Sequence, residues 1–150
     1  MTREQYLDLL RNADNPDSGE YPPGFDREGA EKKFIKLAGK VEELLATKCF
    51  SETGVYIQDA SFHGEIVVPR EFWNADGDGI FIRVSNFGGF ATVGCYSAEV
   101  PEKHLSLLIP VLEEMGYVYI PENILYELYT GGLPFREQGA SWWLRYFDYL

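Results

Sequence analysis

Cysteine is scarce in this sequence, and the two present, Cys49 and Cys95, share no C-x-x-C spacing with each other or with a histidine, so neither a disulfide framework nor a zinc site is expected. Histidine is as scarce: His63 and His104 are the only two, which leaves few parts for triad or metal chemistry. Positive charge is also short, with 13 Lys and Arg against 24 Asp and Glu, a net of −11. Residues 51–150 hold 5 of the basic and 14 of the acidic side chains, so most of the negative charge belongs to that part. Such a field repels phosphates and anionic headgroups, which argues against nucleic-acid and membrane partners, and it attracts basic proteins or cations without by itself naming a partner. A long apolar run is missing too, and the opening Met1-Thr2-Arg3-Glu4-Gln5-Tyr6 is polar, so the reading expects no signal peptide, no spanning helix and a cytoplasmic setting. The phosphate-loop, nucleophile-elbow and His-Glu-x-x-His patterns are absent, and no cofactor is expected.

What is abundant is aromatic area: ten Tyr, ten Phe and three Trp, 15% of the chain. Such side chains serve both cores and contact surfaces. The length of 150 residues suits one domain, 1–150, with one core.

Thr2 with Gln5 has the form of a capping box, and Tyr6, Leu9 and Leu10 make an apolar stripe, so residues 2–12 are predicted as a short helix. A breaker-rich connection over 12–25 follows. Asp26 then caps an amphipathic helix running to Lys48, with Phe34, Leu37, Val41 and Leu44 toward the core. Val55–Asp59, Glu65–Val68, Ile80–Val84 and Phe90–Tyr96 are predicted as four antiparallel strands, the last two joined by the hairpin signature Ser85-Asn86-Phe87-Gly88-Gly89. Pro101 opens a helix stopped by Gly116 and kinked by Pro110; Tyr117–Ile120 reads as a strand, and Pro121–Tyr129 as a short helix. The tail from Ser141 to Leu150 is aromatic enough for a last strand. The fold class is α+β: a mainly antiparallel sheet with an amphipathic N-terminal helix and a C-terminal helix packed on it.

Three groups of residues carry chemistry. Asn74, Asp76 and Asp78 alternate before glycines like the first half of a calcium loop, but Ser85 stands where the closing bidentate Glu is needed, so a turn is expected and no metal. Asp59, His63 and Glu65 lie within seven residues and form a candidate acid/base cluster; His63-Gly64-Glu65 fits the His-x-Glu of zinc deaminases, whose Pro-Cys-x-x-Cys partner is missing. Trp73, Trp142 and Tyr146 are candidate protein-binding anchors.

Three runs, Gln58–His63, Arg83–Gly88 and Trp143–Asp148, resemble signatures of a family of small bacterial proteins, some associated with toxin-immunity settings. The size and acidity are also similar to those of bacterial immunity proteins, whose acidic faces neutralise basic toxin domains. The leading expectation is therefore a non-catalytic protein-binding domain, an immunity-type inhibitor of a basic toxin. The alternatives are a small hydrolase or lyase using Asp59, His63 and Glu65, and a structural or calcium-binding module.

Overall fold

The computed structural model describes residues 1–69, 72, 79–96, 99–136 and 138–150. Among the described residues five strands form one sheet in the order β1-β2-β3-β4-β5: β1 Phe50–Thr53, β2 Phe62–Val67, β3 Ile80–Ser85, β4 Phe90–Cys95 and β5 Val118–Tyr119. The first four pair antiparallel, and β5 joins β4 in parallel. With the helices α1 Arg3–Ala13, α2 Arg27–Leu45, α3 Glu102–Glu114, α4 Glu122–Leu125 and α5 Trp142–Phe147, this is the predicted α+β arrangement.

Helices cover both faces, because alternate strand residues are apolar on both sides. Ile80, Ile82, Val84, Ala91 and Val93 meet Phe34, Leu37 and Val41 of α2 and Leu108 and Leu112 of α3. On the opposite face Phe90 joins Leu7 and Leu10 of α1, Ile124 and Leu125 of α4 and Trp142, Tyr146 and Phe147 of α5. Close approach explains one glycine: a Cβ on Gly64 would lie 2.4 Å from the Phe34 ring, so α2 could not sit this near β2 with any other residue there.

α1 carries the capping box, Thr2 Oγ1 accepting from Gln5 N while Gln5 reaches back to Thr2 N. Asp26 caps α2 through Gly29 N. Leu44 was expected in the core but is 43% exposed; Leu45 takes that place at the helix end. α3 runs through Pro110 as one helix. The first predicted strand is displaced, because Gly54 at φ 68° breaks extension and Gly54–Tyr56 forms a 3-10 turn with Val55 and Tyr56 exposed. The tail is also not a strand: Ser141 caps α5 by accepting from Leu144 N, and the extended form is limited to isolated bridges of Ser141 with Leu128 and of Tyr149 with Ala60.

Candidate functional site

The expected acid/base cluster is dispersed. Asp59 is exposed in a left-handed turn at φ 53°, its carbonyl accepting from Leu150 N. His63 sits where the β2–β3 register shifts, a bulge that turns its ring toward α2 beneath Phe25, with ring centroids 5.6 Å apart. Its Nδ1 meets Asn86 Oδ1 at 3.0 Å. Both Asn86 amide protons are used by Glu20 O and Ala60 O, so His63 Nδ1 is the donor in its bond with Asn86 Oδ1. Burial holds the ring's pKa down at about 4, reinforced by Arg27 and Lys33 and opposed by hydrogen bonds to Asn86 and to the Ala30 backbone.

Glu65 points to the other face, where its Oε1 accepts from the Tyr96 hydroxyl at 2.6 Å and lies 3.4 Å from Arg83 Nε. Arg83 is spoken for: it donates to Phe147 O at 2.7 Å, nears Asp148 at 3.9 Å and lies against the rings of Phe62, Phe81 and Trp143. No arrangement of these groups places a base beside an acid.

Trp142 and Tyr146, expected as surface anchors, are buried, with ring planes 12° apart at 5.8 Å in the core. A helix rather than a strand puts them on one buried face, four residues apart. Trp73, Asn74, Asp76 and Asp78 lie outside the described residues. Among the described residues, no cluster of three or more His, Cys, Asp or Glu could hold a metal ion. His104, on α3, is only shifted modestly downward by burial and by Lys103.

A site that the sequence did not announce lies at the end of β4. There a cleft of about 680 Å³ opens between the strand edge, α3 and α4, lined by Val93, Cys95, Tyr96, Glu99, Glu102, Leu105, Tyr119, Glu122 and Tyr126 among others. It adjoins a smaller recess of about 260 Å³ over Phe81, Arg83, Trp143 and Asp148, with which it shares Cys95, Tyr96 and Tyr126. Local sequence builds its walls. Pro121 cannot extend β5 as a ladder donor and turns the chain into α4, while Pro101 starts α3, so Glu122 and Glu102 both fall in first helical turns at the rim.

The cleft carries three carboxylates and no Lys or Arg among its lining residues. Burial raises the Glu122 carboxyl above its ordinary value; the hydrogen bond from Tyr126 Oη at 2.7 Å opposes this, and nearby Glu99 adds to it. Tyr96 and Tyr119 are pushed up to about 12, chiefly by burial, so both remain hydroxyl donors. Tyr96 and Tyr126 are 55% and 59% exposed, and each rests on a buried or half-buried ring, Phe81 at 4.7 Å and Trp143 at 5.9 Å. Such tyrosines are held in place before anything binds. In sequence only the density of Tyr and Glu between Tyr117 and Glu127 hinted at the site.

Compared with models of protein families, with curated proteins and with solved structures, the chain matches none. Among the described residues, no helix is long and apolar enough to cross a membrane.

Proposed function

We propose that this chain is a non-catalytic protein-binding domain whose acidic, tyrosine-walled cleft takes a basic segment of another protein, as an immunity-type inhibitor of a basic toxin would. The observation that carries this reading is the cleft itself: Glu99, Glu102 and Glu122 with no Lys or Arg in its lining, beside two exposed tyrosines on an aromatic bed, while Arg83 in the adjoining recess is engaged by Glu65 and Phe147 O. Rigid amphipathic rings at the centre and uncompensated charge at the rim are what interface hot spots are made of. A Lys or Arg entering between Glu99 and Glu122 would offset both the burial that raises Glu122 and the smaller contribution of Glu99, and would stack on Tyr96 or Tyr126. Net charge of −11 steers a basic protein from a distance and disfavours a second copy or a nucleic acid. The hydrolase or lyase reading has less support, since His63 faces away from Glu65 under Phe25 and Asp59 is in an outer turn.

The test is binding to a partner isolated from the native host and purified. Charge reversal in the cleft, Glu99→Lys with Glu122→Lys, is expected to weaken the complex at least about tenfold by calorimetry. The same reversal on α2, Glu28→Lys with Glu43→Lys, should leave it within about twofold, since both lie outside the cleft. Equal loss from the two pairs, or turnover of a small substrate that disappears with His63→Ala, overturns the reading.

A further inference from the structure

The recess beside the cleft is walled by rings. Phe81 forms its base and lies across β4 because its cross-strand partner there is Gly94, where a Cβ would come within 2.4 Å of the ring. Tyr96 packs on Phe81 at 4.7 Å, Trp143 meets Phe81 edge-on at 5.8 Å, and Tyr126 leans on Trp143 at 5.9 Å. The four rings thus follow one another around the recess, and the two exposed tyrosines also line the cleft. Both tyrosine hydroxyls are committed, Tyr96 donating to Glu65 and Tyr126 to Glu122, so an occupant meets the ring faces. At about 260 Å³ the recess is smaller than the roughly 300 to 1,000 Å³ of sites for whole small molecules, and it suits one side chain.

Charge decides which side chain. Arg83 is the basic residue in the lining, and two carboxylates already answer it, Glu65 at 3.4 Å and Asp148 at 3.9 Å, while Phe147 O takes its Nη1. An anion entering would face both carboxylates; a cation finds one negative charge in excess. Arg83 also serves the base rings, its guanidinium carbon lying 5.1 Å from the Phe81 centroid and 5.6 Å from that of Trp143. Among the described residues no cation lies over Tyr96 or Tyr126. The Asp148 side chain is 38% exposed, with Oδ1 accepting from Tyr149 N.

We propose that the basic partner is anchored by one arginine, and not by a lysine, whose guanidinium enters this recess, lies on the tyrosine faces and donates to Asp148, while neighbouring cations of the partner stay over Glu99, Glu102 and Glu122. The proposal rests on the binding function above and adds the identity of the anchor. A guanidinium is planar and weakly hydrated, so it stacks on a ring while its in-plane donors reach a carboxylate. An ammonium is a compact, strongly hydrated charge that gives up more water among four rings and offers no face to stack.

The probes are blocked pentapeptides, Lys-Gly-Xaa-Gly-Lys, with arginine, lysine, citrulline or glutamate at the centre, titrated at low salt into the isotope-labelled protein and followed by nuclear magnetic resonance. The arginine peptide is expected to bind about tenfold more tightly than the other three and to shift the Trp143 indole N–H and the Asp148 amide. Asp148→Asn keeps the acceptor for Tyr149 N and removes only the charge, so it is expected to abolish the preference for arginine over citrulline and to leave the lysine peptide within about twofold. If the arginine and lysine peptides bind alike and both weaken with Glu99→Gln plus Glu122→Gln, the arginine seat is overturned and the acidic-cleft function stands. An arginine preference that survives Asp148→Asn, or tightest binding by the glutamate peptide, overturns the seat as well. If none binds, both are overturned.

Discussion

A guanidinium without solvent exposure has to find protein partners for its donors, and Arg145 does so in one stroke. Its Nε donates to Asp14 Oδ1 at 2.7 Å, Nη1 to Gly19 O, and Nη2 to Asn15 O and Ser18 O, while its carbon lies 4.4 Å from the Phe87 centroid. The breaker-rich connection after α1 is thus wound around one buried charge, and Asp14 is further fixed by the Tyr129 hydroxyl at 2.7 Å. That Arg145 needs a partner is legible in the sequence; that the partner is Asp14, far away in the chain, is not. Asp14→Ala leaves that charge buried and uncompensated, so about 3 to 5 kcal/mol of stability should be lost in urea denaturation. A loss under about 1 kcal/mol would show that the pair is replaceable. His63 supplies a second residue-scale prediction. Its pKa is held near 4 in the fold, against 6.5 when free, so between those values the unfolded chain binds the proton and the native chain does not. Stability contributed by the neutral ring is complete above about pH 6.5 and is lost as pH falls toward 4, by roughly 3 kcal/mol in all. His63→Gln should flatten that part of the pH–stability curve relative to the parent, and parallel curves would contradict the buried neutral ring.

Elements were legible where periodicity and caps agreed, and obscure where they did not. α1 and α2 are readable because Thr2 and Asp26 cap amphipathic stripes, and the β3–β4 hairpin because Gly88 and Gly89 take positive φ in its turn. The tail defeated the same reasoning. Its aromatics favour strands on average, and both of its faces are aromatic, so a period of two and a period of nearly four fit it equally well. The arrangement is decided by tertiary demands: Trp142 and Tyr146 fill one face against Phe87 and Phe90, and Arg145 reaches the loop after α1. The candidate site was only hinted at for a related reason, since Tyr96 and Tyr126 come together only because β5 is short and Pro121 turns the chain. On α2 the boundary between core and rim gives a direct measurement. Leu37 is fully buried and Leu44 is 43% exposed. Leu37→Ala should lower stability by about 2 to 5 kcal/mol, whereas Leu44→Ala should stay under about 1 kcal/mol. Similar melting shifts for the two would mean that α2 is rotated on the sheet.

For the whole molecule, the proposed binding function assigns the acidic balance and the aromatic cleft to different stages of an encounter. Long-range attraction lowers the barrier to meeting, is felt before contact, and is screened within about 8 Å at physiological salt. Ring burial acts only after contact and governs how long the complex lasts. The two contributions belong to different residues here, with Glu99 and Glu102 at the rim and Tyr126 on the aromatic wall. Kinetics with the purified partner should therefore separate them. Glu99→Gln with Glu102→Gln is expected to slow association several-fold, to flatten its dependence on salt and to leave dissociation within about twofold. Tyr126→Ala is expected to speed dissociation by about thirtyfold, the equivalent of about 2 kcal/mol for a central ring, with association nearly unchanged. Tyr126→Phe makes the assignment sharper, because it keeps the ring and removes only the bond to Glu122. If Phe restores the lifetime, the ring face is the anchor; if Phe behaves like Ala, the hydroxyl that steadies Glu122 is what the partner requires. Should the charge pair and the tyrosine alter the same rate constant to the same extent, attraction and anchoring would not be divided between rim and wall, and the cleft could not be the place where the partner is held.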